Sequence, residues 1–266
     1  MHHASISNRL DWTGWNSMRA LVLSDIHGNL EALEAVLAAA PPHDVVWNLG
    51  DVVGYGASPN EVIDRVRSLG NLVVRGNHDR ACVGLDVFDF SQNAKVAILW
   101  TEHILEDDHR EWLRSLAMGP VTPEDSAVSC VHGSPRDEDE YLFTLDDASP
   151  SLQAASSPIT FFGHTHRQVG FASGEYTETR FQPEYDLSSE PEQFPLQLRS
   201  GYRYLLNPGS VGQPRDSDWR AAFAVYDDEQ SLFTWHRVPY DVAEAQRRIQ
   251  SAGLPNVLAY RLERGF

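Results

Sequence analysis

Hydrophobic and polar positions along this chain follow two periods that take turns. Residues 19–24 (RALVLS) form a short apolar run with β-branched content, the pattern of a strand covered on both faces. Over 29–40, Leu30, Leu33, Val36 and Leu37 recur at helical spacing until Pro41 and Pro42 stop them. Residues 44–51 (DVVWNLGD) read as a second strand. Pro59 then opens a helix over 60–69, with Val62, Ile63 and Val66 on one face and Gly70 as its stop. A third strand follows in NLVVRGNHD, 71–79. Strand–helix–strand–helix–strand at this pitch predicts parallel βαβ units. Two amphipathic helices are predicted over 92–105 and 107–116, carrying Trp100, Ile104, Trp112 and Leu116. Strands are predicted at 126–133 and 159–166. Beyond residue 166 the pattern turns antiparallel through 168–173, 202–210, 222–227 and 232–238. The polar stretch 175–198 is expected to be a hairpin with a long loop, and 241–253 a last helix.

The ends of the early strands share a chemistry. They read Asp25-Ile26-His27-Gly28-Asn29, Gly50-Asp51, Gly76-Asn77-His78-Asp79, His132-Gly133 and Gly163-His164-Thr165-His166. Strand C-termini line the ligand crevice of an open α/β sheet, and glycine lets the backbone turn sharply beside a ligand. Imidazole and carboxylate suit Mn, Fe, Zn, Ni or Co. Asp25, His27, Asp51, Asn77, His132, His164 and His166 offer more donors than one tetrahedral ion takes. Two divalent transition-metal ions sharing a carboxylate fit better, and such pairs, ~3.5–4 Å apart, recur in phosphoester hydrolysis. By contrast, His43, His103, His109 and His236 fall in no cluster and read as surface or satisfied core. Cys130 reads as core.

Composition limits the partners. The 266 residues carry 38 acidic and 21 basic side chains, a formal net charge of -17. That excess of acid argues against a stable nucleic-acid partner held by phosphate contacts. No run approaches the ~18 apolar residues of a membrane span, so no membrane partner is expected. Two cysteines, Cys82 and Cys130, make no disulfide framework, which points to a cytoplasmic location. Residues 1–17 are polar, with Trp12 and Trp15, and read as a flexible extension ahead of Met18. Residues 18–266 read as one domain, with 92–116 as a helical cap-like insertion. The pattern carries no signal for oligomeric state.

The ordered set DxH, GD, GNHD, H and GHxH resembles the calcineurin-like metallophosphoesterase superfamily. The strings SDIHGNLEAL, GDVVGYGASPNEV, RGNHDRA and NPGSVGQPRD resemble its small prokaryotic YfcE-like phosphodiesterase branch. The motifs span 25–166 and, with flanking elements, roughly 18–237. The resemblance implies a four-layer αββα sandwich of two mixed sheets flanked by helices. It also implies that Asp25, His27 and His166 hold one metal, that Asn77, His132 and His164 hold the other, and that Asp51 bridges them. The implied reaction is attack by a metal-bridging hydroxide on a small phosphodiester, phosphomonoester or nucleotide, with His78 protonating the leaving oxygen. Asp79 is placed either to orient His78 or to cap the turn. Asn29, Tyr55, Arg80 and Arg215 are candidate substrate contacts, each with an ordinary surface role as the alternative.

Departures from the family shape the substrate question. Protein Ser/Thr phosphatases of this superfamily carry GDxxDRG, whereas this chain has Gly50-Asp51-Val52-Val53-Gly54-Tyr55-Gly56. The aspartate that supports the catalytic histidine there is Gly54 here, and the arginine is Tyr55. This argues against protein phosphatase activity and against the enterobacterial-type diadenosine tetraphosphate hydrolases, while leaving dinucleoside polyphosphates open. A different class, a non-catalytic interaction module on the same fold, predicts eroded ligands, and none is eroded. The acidic run Asp137-Glu138-Asp139-Glu140, with Asp146 and Asp147, reads as a solvated loop or as a gate against polyanions.

Overall fold

The computed structural model describes residues 18–70, 72–85, 90–124, 126–186 and 189–266. The expected extension at 1–17 lies outside the described residues. The first half runs β1 Arg19–Leu23, α1 Leu30–Ala39, β2 Val45–Asn48, α2 Pro59–Leu69, β3 Leu72–Val73, α3 Asn77–Ala81, α4 Gln92–Ile104 and α5 Asp107–Ser115. It continues through β4 Val128–Cys130, α6 Leu145–Ala154, β5 Ile159–Phe161, β6 Gln168–Ser173, β7 Glu178–Phe181 and β8 Glu192–Gln197. β9 Arg203–Pro208, β10 Ala221–Asp227, β11 Leu232–Val238, α7 Val242–Ser251 and α8 Asn256–Tyr260 complete the regular elements, followed by a 3-10 turn, Leu262–Arg264.

Two mixed sheets result. One has the order β3-β2-β1-β10-β11-β8, the other β4-β5-β9-β6-β7. The pairs β1–β2 and β2–β3 are parallel, as the βαβ pattern requires, and β10 closes antiparallel on β1. Successive side chains of a strand point to opposite faces. Leu21 and Leu23 therefore join α1, α2, α4 and α7 in one core, and Ala20 and Val22 join the second sheet through Trp47, Phe161, Phe233 and Trp235. A third, smaller core lies between the second sheet and α6, around Leu152, Phe162 and Phe171. Helix, sheet, sheet and helix thus form four layers.

One expectation fails, and one ten-residue helix was not expected. The stretch 175–198 is not a hairpin. β7 pairs with β6 in the second sheet, whereas β8 pairs with β11 in the first. Alternation of polar residues is the same for either partner, so the pattern cannot tell which sheet receives the strand. The helix α6 is also absent from the pattern reading. Its Thr144 hydroxyl caps the Asp147 N–H, and Asp147 accepts from the Thr144 N–H in return. Asp stands where a capping box usually has Glu or Gln, and Pro150 inside the helix disguises it further.

Candidate metal centre

The loops after β1, β2, β3, β4 and β5 meet at one end of the sheets. Asp25 N–H donates to Gly50 O at 3.0 Å and His27 N–H to Asp51 O at 2.9 Å, joining the first two loops. Asp25, His27, Asp51, His164 and His166 all have positive φ, between 52° and 66°. Left-handed backbone costs a non-glycine residue about 1–2 kcal/mol. Five such residues in one cluster are strain concentrated at a site that uses it. The third loop approaches closely enough to require glycine: a Cβ on Gly76 would lie 2.1 Å from Asp51 Oδ1.

All seven expected donors converge. His27 Nε2 lies 3.0 Å from His166 Nε2, and 3.9 and 3.6 Å from Asp25 Oδ1 and Asp51 Oδ2. His166 Nε2 stands 3.3 Å from Asp25 Oδ1. On the other side, His132 Nε2 lies 3.4 Å from Asp51 Oδ2, 3.0 Å from Asn77 Oδ1 and 3.1 Å from His164 Nδ1. Asp51 Oδ2 belongs to both groups.

The outer atoms of these residues determine what the inner ones present. His27 Nδ1 faces Val53 O at 3.1 Å, His166 Nδ1 faces Gln213 O at 2.6 Å, and His164 Nε2 faces Asp139 O at 3.1 Å. A carbonyl accepts only, so each of these ring nitrogens carries the proton. Burial lowers all three imidazoles well below the usual 6.5 and keeps them neutral. Their inner nitrogens are therefore bare lone pairs. His27 and His166 point theirs at each other.

The carboxylates divide in the same way. Asp25 Oδ2 accepts from Ser24 Oγ at 2.7 Å and from His164 N–H at 3.1 Å, and Asp51 Oδ1 accepts from His78 N–H at 2.8 Å. Asp25 Oδ1 and Asp51 Oδ2 are buried with no hydrogen-bond partner. Burial pushes the Asp25 carboxyl up to about 7, with His132 pulling the other way. Burial works to raise Asp51 too, but His132 and His78 hold it well below the carboxylate range. His132 is itself drawn up to about 10 against burial by Asp51. A proton on His132 answers that charge among protein groups alone, and a cation touching both answers it more fully. Lone pairs and bare oxygens gathered in a buried space fit two divalent cations, with backbone carbonyls fixing the outer nitrogens.

Beside the cluster lies a cavity of about 510 Å³. Asp51, Asn77, His78, His164 and His166 reach it, as do Tyr55, Phe90, Tyr141, Arg80, Arg215 and Arg261. Residues 18–231 match the calcineurin-like phosphoesterase superfamily domain. The chain belongs to that superfamily. It is 35% identical over 252 residues to an uncharacterised protein of Methanocaldococcus jannaschii, covering 91% of this chain and 96% of that one. It is similar to the metallophosphoesterase structure from Sphaerobacter thermophilus at 40% identity and a TM-score of 0.81, over 94% of this chain and 100% of that one. A shorter match, 43% identical over 67 residues and 23% of each chain, is to the symmetrical bis(5'-nucleosyl)-tetraphosphatase of Yersinia enterocolitica. No helix among the described residues is long and apolar enough to cross a membrane.

In this calcineurin-like phosphoesterase, His78 is buried among rings, with centroids 4.4 Å from Tyr55, 4.8 Å from His27 and 4.8 Å from Phe90. Burial brings it down to about 4, and its Nδ1 has no hydrogen-bond partner. Three expectations need correcting. Of the two roles open to Asp79, the cap is the one met, at the start of α3, and it does not orient His78. Its carboxylate accepts the N–H groups of Asp51, Gly76 and Val53 at 2.8, 3.0 and 3.1 Å, so it braces the loop that carries Asp51. Asn29 does not line the cavity. Its Oδ1 caps α1 through Ala32 N–H, and its Nδ2 donates to Gly212 O at 2.9 Å. Arg80 lines the cavity, but its guanidinium is committed to Glu138 at 2.7 Å and Asp139 at 2.6 Å. The acidic run is accordingly not a free loop, since Arg75 and Arg136 hold Glu138 and Glu140 as well. Phe90 and Ser91 line the cavity just ahead of α4 and of the expected cap-like insertion 92–116, which itself contributes no residue to that lining.

Tyr55 and Arg215 do line the cavity. Phe90, Tyr141 and Arg261 line it without having been singled out from the sequence. Tyr141 stacks on His164 with centroids 3.8 Å apart. Arg261 follows α8, more than ninety residues beyond the last motif histidine, and no local pattern marks it. His109 and His236 are satisfied core: His109 bonds Asn60 and Asp64 at 2.9 Å, and His236 stacks on Phe223.

Proposed function

We propose that this chain hydrolyses a small phosphate ester with two divalent cations held by Asp25, His27, Asp51, Asn77, His132, His164 and His166. One observation carries this reading. The neutral imidazoles of His27 and His166 aim their lone pairs at each other across 3.0 Å, beside two buried carboxylate oxygens with no donor. Mn, Fe, Zn, Ni or Co each fit this donor set. When bound, two such ions supply an acidic water as nucleophile and withdraw charge from the phosphoryl oxygens. Asp51 is the residue that ties both positions together, and Asp79 fixes its main chain. The cluster holds only two carboxylates, so loaded with two divalent ions it is locally positive inside an acidic protein, and a small anion is attracted there.

His78 is assigned to the leaving oxygen. Burial holds its ring down at about 4, so the proton it gives to the leaving oxygen is one taken up as the phosphate arrives, whose negative charge raises the ring's proton affinity. The packing of Tyr55, His27 and Phe90 around the ring limits its rotation. A dinucleoside polyphosphate is the second reading, favoured by the size of the cavity and by its aromatic and arginine walls.

The test is a panel of aryl monoester, aryl diester, cyclic nucleotide and dinucleoside polyphosphate on protein of defined metal content. The expected result is two ions per chain and cleavage of at least one class. His78→Ala is expected to lower kcat about 10²–10⁴-fold with metal content unchanged. Less than one ion per chain, with no hydrolysis of any class, would return the fold to a binding module.

A further inference from the structure

Two arginines line the cavity and stand over one aromatic ring. Arg215 comes from the loop ahead of β10, and Arg261 from the turn after α8. Their guanidinium carbons stand 5.7 and 5.8 Å from the centre of the same Tyr55 ring. Among the described residues no side-chain carboxylate pairs with either. Arg215 Nη2 donates to the Tyr55 hydroxyl at 3.4 Å and Gln213 Oε1 at 3.2 Å, and its Nε is buried without a partner. Arg261 Nε donates to Phe266 O, an oxygen of the α-carboxylate of the last residue of this sequence, while among the described residues its two Nη groups meet no acceptor. Arg80, on the same cavity, differs in that both of its Nη groups pair with side-chain carboxylates, those of Glu138 and Asp139.

Like charges gathered on one ring and partly desolvated are costly until an anion joins them. Burial and the charge of Arg215 both lower the pKa of Arg261. Tyr55 also contacts His27 and His78, with centroids 4.8 and 4.4 Å away, so the pair stands one aromatic ring from the candidate metal centre. Tyr55 is itself held at φ +61°, which ties the position of its ring to the loop of Asp51. Two guanidinium forks suit the several oxygens of a phosphoryl group better than a single carboxylate.

We propose that Arg215 and Arg261 form an anion subsite for the phosphoryl group next to the one hydrolysed. Substrates with linked phosphoryl groups are then preferred over simple phosphate esters. The proposal rests on the phosphoesterase reading above and adds its substrate class.

The experiment compares p-nitrophenyl phosphate, with one phosphoryl group, and a dinucleoside tetraphosphate at one fixed excess of divalent metal. It uses the wild-type chain, Arg261→Gln, Arg215→Gln and Arg261→Lys, and calorimetry follows tetraphosphate binding in parallel. In both Gln variants the ratio of kcat/KM values favouring the tetraphosphate is expected to fall about 10–100-fold, with binding weakened by a similar factor. Arg261→Lys is expected to recover part of it. Equal losses on both substrates, or an undiminished ratio, overturn the subsite. A wild-type chain that cleaves the aryl ester but neither cleaves nor binds the tetraphosphate overturns it as well. Arg261-dependent binding with no cleavage of either compound instead overturns the phosphoesterase reading and leaves the anion site standing. Absence of both binding and cleavage removes both.

Discussion

Gly54 stands at φ +91°, and a Cβ built on it would lie 2.5 Å from His78 Nδ1. An aspartate at this position, as in the protein phosphatase motif, has no room beside the histidine where it now sits. The ring is held instead by Tyr55, His27 and Phe90, and its Nδ1 is left without a partner. Gly54→Ala is therefore expected to displace the His78 ring and lower kcat on an aryl phosphate at least about 10-fold, since small misplacements of a catalytic group cost this much or more. Metal content should stay at the wild-type level. Unchanged kcat in a folded Gly54→Ala chain would show that His78 is not the proton donor. At this scale the sequence is most legible for the candidate ligands, because DxH, GD, GNH and GHxH place donors within a few residues of one another. It is least legible for Asn29, Asp79 and Arg80. Their types suit substrate or acid–base work, yet distant backbone N–H groups, a cap and two carboxylates have already taken their polar atoms.

Among the elements, β10 is buried along its whole length, and His236 of β11 stacks on Phe223 of β10 at 4.7 Å and 7°. Burial lowers His236 from 6.5 to about 4. As pH falls, the unfolded chain takes up this proton near 6.5, whereas the folded one waits until about 4. Stability is therefore lost progressively between these values and is complete above 6.5. His236→Phe keeps the stack and removes the proton. We expect chemical denaturation at pH 4.5 to show a smaller loss relative to pH 7 in the variant, by about 1–3 kcal/mol. Identical acid limbs would mean that His236 is already protonated in the fold or exposed. The element pattern of α1, α2, α4, α5 and α7 was legible because each buries one helical face. The ambiguous segments were β7, β8 and α6, where half-exposed alternation fits either sheet and an Asp-type box with an internal proline hides the helix.

At the scale of the whole molecule, one buried amide links the two sheets. Gln168 of β6 donates to Pro208 O at 3.1 Å and to His236 O at 3.0 Å, and its Oε1 accepts from Tyr185 at 2.9 Å and Arg237 Nε at 3.0 Å. Arg237 continues to Arg220 O and to Asp216, while Arg220 is held by Asp218 and Glu192. This network lies at the same end of β6 as His166. Gln168→Leu keeps the volume but strands two donors and two carbonyls. An expected loss of about 2–4 kcal/mol follows from leaving such groups buried and unpaired. A urea midpoint within error of wild type would mean that water replaces the amide.

The βαβ order of the first three strands and the gathering of Asp, Asn and His donors at strand ends were legible in the sequence itself, because each depends on residues close in the chain or on a periodic face, whereas the proposed division of those donors around Asp51 follows from the family resemblance. Tertiary structure decided the rest. Which sheet receives a polar strand, which nitrogen of each histidine carries the proton, and which arginines are taken up by carboxylate side chains all depend on partners far away in sequence. Val53 O and Gln213 O make the lone pairs of His27 and His166 face each other. Glu138 takes Arg80 out of the cavity's chemistry, and the turn after α8 brings Arg261 into it. These are properties of distance in space, and linear spacing does not encode them.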